Sequence, residues 1–178
     1  MNIDEIRAGN HKEFNRLVEN QIDSLYLLVL RITCNEEDAR DVVQDTFMKV
    51  WVKRKTIKNG SSLKAYIRRI AVNKCYDLLR MKKYRQRTNI DIERVMLNEL
   101  SEGKDADYKL NNDEALSLLK MLASELSPRQ KLVFTLVEIE ELSHDEVSEI
   151  TGMSKTNIKT NLRHARLRIE GIIRKYVN

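Results

Sequence analysis

One proline and five glycines in 178 residues leave little turn chemistry for a β-rich architecture. Aromatic residues make up only 6% of the chain, with a single tryptophan. The two cysteines, Cys34 and Cys75, are far apart, sit in apolar settings and lack zinc-site spacing. Buried free thiols are therefore expected, rather than a disulfide or a metal centre. No apolar run approaches the roughly 20 residues of a membrane span. The stretch 25–32 comes nearest and is far too short. The first twenty residues carry Asp4, Glu5, Glu13 and Glu19 without an apolar centre, so no signal peptide is expected and the cytoplasm is the expected location.

What remains is charge and helix-forming residues. Hydrophobic residues make up 42% and charged ones 33%, in long Leu, Lys, Glu and Arg stretches that favour helix. The net charge of +5 is unevenly spread. From Ser154 to the end, seven Lys and Arg face the single acid Glu170; from Lys64 to Arg87, nine face Asp77. An acidic stretch separates these two basic segments, a pattern that suggests two contacts on one polyanion.

The most informative stretch is 143–169. Ser143 and Glu146 have the spacing of a capping box, and Val147 and Ile150 fall on one face of the helix they open. Gly152 can take the positive φ of a sharp helix exit, and Ser154 can cap the next helix. Ile158, Leu162, Ala165 and Ile169 recur at helical spacing as a buried stripe. The opposite face offers Lys155, Thr156, Lys159, Thr160 and Arg163, with Arg166 and Arg168 beyond. Short polar and long basic side chains near a helix N-terminus suit base edges and phosphates in a major groove. This is a helix-turn-helix; its bland alternative is a helical hairpin with a solvated basic face.

In chain order, residues 12–32 predict a first helix, and Asn35 with Asp38 opens a second over 36–51. Ala39, Val42, Val43, Phe47, Val50 and Trp51 form its inward face, and Trp51 is most simply core. Asp38, Asp41, Gln44, Asp45 and Met48 point outward. Such a row can be a solvated face or an acidic patch with an apolar knob for a basic partner surface. Residues 53–62 are a loop. A third helix over 63–80 buries Leu63, Ile67, Ile70, Ala71, Cys75 and Leu78 and presents Arg69, Asn73, Tyr76 and Arg80 as a polar stripe. That stripe suits phosphate contact together with stacking or hydrogen bonding to an exposed base. The pattern weakens from Lys82 to about Asn112, as expected of a linker. Helix returns over 113–125, and Ser127 with Pro128 at N1 opens another over 128–140 that leads into the helix-turn-helix, completing a four-helix module.

In their order and wording these segments resemble bacterial RNA polymerase sigma factors of the extracytoplasmic-function type, across nearly the whole chain. EEDARDVVQDTFMKVW looks like region 2.2, LKAYIRRIAVNKCYDLLR is similar to regions 2.3–2.4, and the run from Leu126 to Ile169 looks like region 4. The chain departs from the family at Ser148, usually Ala, and at Asn161 and His164, often Arg. The resemblance implies an all-α fold of two small helical domains, sigma-2 over 1–86 and sigma-4 over 113–178, joined by a flexible linker at 87–112.

It further implies a non-enzymatic factor that binds core polymerase, recognises −35 and −10 promoter elements and helps open the −10 region. The polymerase would be held at its clamp coiled coil, by Asp38, Asp41, Gln44, Asp45 and Met48, and at its flap. The −10 strand would be taken by the loop 55–62 with Arg69, Asn73, Tyr76 and Arg80. The −35 duplex would be read by Lys155, Thr156, Lys159, Thr160, Arg163 and Arg166. No cofactor, metal or membrane insertion is implied. An anti-sigma factor is, and in this family it can be membrane-anchored. Two other readings of the residues stand beside this one: a helix-turn-helix regulator that binds an operator without polymerase, and a metal-dependent nuclease using the carboxylates at 38, 41 and 45.

Overall fold

The computed structural model describes residues 3–57, 63–88 and 125–177, with side chains given up to 85 and 175 in the last two spans. Every element among them is helical. Helix α1 spans Ile3–Ala8, α2 His11–Thr33, α3 Glu36–Val52 and α4 Leu63–Thr88. After position 125 come α5 (Pro128–Phe134), α6 (His144–Thr151) and α7 (Lys155–Val177). The helix expected over 113–125 and the expected linker lie outside the described residues, as do positions 58–62 of the expected loop. Residues 54–56 form a short 3₁₀ turn.

Local chemistry accounts for most of the helix ends. The Asn10 side chain accepts from the backbone N–H groups of Lys12 and Glu13 at the start of α2. Asn35 does the same for Asp38 at the start of α3. Ser127 with Gln130 and Ser143 with Glu146 each make a complete capping box. The Ser143 hydroxyl and N–H both hold the Glu146 carboxylate, which lies below its ordinary pKa for that reason. Cys34 ends α2 in the left-handed region at φ +55°, a role that composition gave no reason to assign to a cysteine. Helix α4 runs to Thr88, eight residues past its expected end, because Met81–Arg87 is rich in Lys, Arg and Gln, good helix formers. It also passes the expected domain edge at 86.

The expected helix from Pro128 to Glu140 is regular only to Phe134. Thr135–Ile139 widens into a π-helical turn, closed by the Glu140 N–H on the Thr135 carbonyl at 3.0 Å. Glu141 then takes φ +54°, and the Leu142 N–H returns to the Leu136 carbonyl at 3.0 Å. One extra residue in the ladder rotates everything beyond it about the helix axis. As a result Glu138 points at α7 and Glu140 at α2 and α4.

One continuous apolar cluster spans both halves of the molecule. Leu17, Leu28 and Ile32 of α2 and Val50 of α3 meet Ile67 and Val72 of α4; from the other half, Leu132, Leu136, Val147 and Ile158 join the same cluster. Each such side chain contributes roughly 1.5–3 kcal/mol by leaving water. Both cysteines are buried and free. Burial pushes the Cys75 thiol up to about 12.

Gly152 ends α6 at φ +73°, and a Cβ built there meets nothing within 4 Å. Gly152→Ala should therefore cost only the left-handed backbone penalty, about 1 kcal/mol. A lowered urea midpoint with an unchanged slope is the expected record.

Candidate functional site

Three surfaces carry the residues singled out in the sequence. On α3, Asp41, Gln44, Asp45 and Met48 are exposed and Asp38 is half-buried. The helix divides this row between two neighbours. On one flank α4 engages two carboxylates: Lys82 holds Asp38, and the Lys74 ammonium lies 2.5 Å from Asp45. On the other flank, Gln44 and Met48 line an apolar groove of about 660 Å³ with Phe14, Val18 and Ile22 of α2. Asp41 stands between the two flanks.

Trp51 lies at the end of this groove, half-buried rather than in the core. Its ring packs on His11 at 4.5 Å and Phe14 at 4.9 Å, and the Arg54 guanidinium lies 4.2 Å from its centroid. The helical phase explains the difference. Val43, Phe47 and Val50 point at the core, whereas position 51 is turned about a hundred degrees away from 50, toward the α2 side. The charge over the ring adds roughly 0.5–1 kcal/mol at such a partly exposed site.

The second surface is the stripe on α4. Arg69, Asn73 and Arg80 are exposed and Tyr76 is half-buried. The Arg80 guanidinium lies 5.7 Å from the Tyr76 ring centroid. The Tyr76 hydroxyl accepts a hydrogen bond from Arg129 Nε of α5 at 2.9 Å. Beside it Arg80, Met81, Lys83, Tyr84 and Pro128 line a second open groove. Tyr84 is 70% exposed, an aromatic in line with the stripe that sequence reasoning passed over. The extended α4 would have revealed it.

The third surface is the helix-turn-helix, α6 and α7. Its turn is clasped by side chains. The Ser148 hydroxyl donates to the Met153 carbonyl at 2.7 Å, the Thr151 hydroxyl donates to Val147 at 2.6 Å, and the Met153 N–H donates to Thr151 Oγ1 at 3.2 Å. Ser148 thus uses its extra oxygen where an alanine could not. Ile158, Leu162 and Ala165 are buried, which turns Lys155, Thr156, Lys159, Thr160, Arg163 and Arg166 to solvent on one side. Lys155 pairs with Asp145, and Arg166 with Glu138 at 2.5 Å. These pairs are exposed and worth little in stability, so a phosphate could displace either acid at small cost.

Comparison with known proteins follows the same division. The family described as Sigma-70 region 2 matches residues 17–85, and Sigma-70, region 4 matches residues 116–169. The RNA polymerase sigma factor SigV of Bacillus subtilis is 33% identical over 141 residues, covering 79% of this chain and 78% of SigV. Among solved structures, CnrH in complex with the cytosolic domain of CnrY superposes with a TM-score of 0.68 at 20% identity, over 97% of this chain and 95% of that one. The sigma factor RpoE in complex with the anti-sigma factor NepR, from Bartonella quintana, gives 0.65 at 24% identity, over 92% of this chain and 98% of that one. At these identities the two structures establish the shared fold.

Proposed function

The chain belongs to the sigma-70 family of RNA polymerase sigma factors, in its extracytoplasmic-function group, and from that membership we propose how its surfaces divide the work at a promoter. It is a non-enzymatic initiation factor that binds core RNA polymerase and directs transcription from promoter DNA. The residue assignments are our own reading. Asp38, Asp41, Gln44, Asp45 and Met48 hold the polymerase clamp. Arg69, Asn73, Tyr76 and Arg80 take the −10 strand. Lys155, Thr156, Lys159, Thr160, Arg163 and Arg166 read the −35 duplex.

One observation carries this reading: the chain presents, in order, an acidic face with an apolar knob, an arginine-rich polar stripe with a stackable tyrosine, and a capped helix-turn-helix. Acidic and basic work are thereby kept on different helices. An operator-binding regulator has no use for the first two surfaces. The division into 1–86, 87–112 and 113–178 is supported by the matched spans 17–85 and 116–169. An anti-sigma factor is the proposed inhibitor, supported by the company RpoE keeps in its solved complex. The cytoplasm is the proposed location, and among the described residues no helix is long and apolar enough to cross a membrane.

Lys159 and Arg163 provide the test, in holoenzyme reconstituted with bacterial core polymerase. Replacing both with alanine should weaken retention of a −35 duplex about tenfold and lower the slope of log affinity against log salt by about two, one for each positive charge removed from the DNA face. Retention that stays unchanged in both respects would remove α7 from the DNA interface.

A further inference from the structure

We propose that the second half of this chain is a built-in cover for its own −10-binding stripe, latched by Glu140. This rests on the sigma-factor reading above and goes beyond it.

The Glu140 side chain is 8% exposed although it lies between the two halves. Its Oε1 meets Arg31 Nη1 of α2 at 2.5 Å, and its Oε2 meets Arg68 Nη2 of α4 at 3.5 Å. The π-helical turn aims it there. Two further bonds flank it. Lys131 Nζ donates to the Thr33 carbonyl in the last turn of α2 at 3.4 Å, and Arg129 Nε donates to the Tyr76 hydroxyl at 2.9 Å. All of these bonds join the first half to the second, and each uses a charged side chain. Behind them, Ile67 of α4 and Leu136 and Val147 of the second half share one apolar cluster.

The consequence falls on Tyr76. A base bonding to the Tyr76 hydroxyl needs the place that Arg129 of α5 occupies in this arrangement. The closed chain therefore cannot take a −10 base at the Tyr76 hydroxyl, and an open chain can. DNA that binds only the open form has its apparent affinity reduced by the open fraction. The two ion pairs of the latch share one carboxylate, so they are lost together. Once Glu140 is lost, two arginines face each other across a partly buried space, and repulsion replaces attraction. Arg69, Asn73 and Arg80 remain exposed in the closed form, so DNA can make first contact before the cover leaves.

The experiment uses the full chain, the Glu140→Gln variant and the Arg129→Ala variant, each free in solution. Small-angle X-ray scattering should give the native chain a radius of gyration near that of a compact protein of this length, about 16 Å. Glu140→Gln should increase it and bind a short random-sequence single-stranded DNA about tenfold more tightly, as the open fraction rises. Arg129 is exposed, so its removal leaves folding intact; that variant should bind the same DNA about threefold more tightly by freeing Tyr76. A native chain that is already extended would overturn the latch. So would three proteins alike in both scattering and DNA affinity. Retention on core polymerase is measured in parallel: a native chain that is not retained sinks the sigma-factor reading, whereas retention with no change in the other two measurements sinks the latch alone.

Discussion

Asp41→Arg should reduce retention of the chain on bacterial core RNA polymerase about a hundredfold, equivalent to about 2.7 kcal/mol. Of the three carboxylates on the outward face of α3, Asp38 and Asp45 are held by Lys82 and Lys74 of the same molecule. Asp41 has no ion-pair partner among the described residues and is exposed, so its full charge faces outward. Reversing it places a cation against the basic surface expected of the partner, and like charges across an interface cost several kcal/mol. Asp38→Ala should have a much smaller effect, about threefold, because Lys82 already offsets much of that charge. The circular dichroism of Asp41→Arg should match the native chain, since the position is a solvated helical one and arginine is a better helix former than the aspartate it replaces. If the two variants lose retention equally, the distinction drawn from the lysine pairs is wrong.

The largest expected loss of stability comes from a single residue beneath the recognition face. Ile158 is fully buried in the first turn of α7 and belongs to the cluster that spans both halves. Ile158→Ala should destabilise the chain by about 3 kcal/mol, from the lost transfer energy and the cavity left behind. Urea unfolding followed by far-ultraviolet circular dichroism would record it. Lys159→Ala, one residue on, removes an exposed side chain from the same helix and should shift stability by less than about 0.5 kcal/mol. The two adjacent positions thus separate folding from DNA contact: the first substitution should lower both stability and duplex binding, the second duplex binding alone. Equal losses of stability would contradict the assignment of the buried stripe.

The helix-turn-helix was legible in the sequence nearly atom by atom. Ser143, Glu146, Gly152 and Ser154 are local signals: each acts within four residues of itself, and each does in the structure what its side chain predicts. The buried and exposed faces of α3, α4 and α7 follow from helical periodicity for the same reason. Properties set by distant partners were not legible. The division of the acidic row between α4 and an apolar groove depends on which helices lie either side of α3, and no spacing in the row encodes that. Trp51 lies at an edge because His11, Phe14 and Arg54 hold it there, and its own hydrophobicity does not encode those neighbours. The π-helical turn at 135–139 has no composition of its own, since every residue in it would also suit a regular helix. Glu140 is accordingly the residue that sequence reasoning had the least chance of finding: its role comes from that turn and from arginines about 70 and 110 positions away.

The buried sulfurs have a consequence for what this factor can perceive. With the Cys75 thiol pushed up to about 12 by burial, it stays protonated at neutral pH. Peroxides attack the thiolate form, and only where solvent can deliver them. Cys34 is shielded from solvent as well, at the left-handed end of α2. Neither thiol is placed to sense an oxidant, so among the described residues the sulfurs that a peroxide reaches from solvent are the exposed thioethers of Met48 and Met81, the first of them in the row proposed to hold the polymerase.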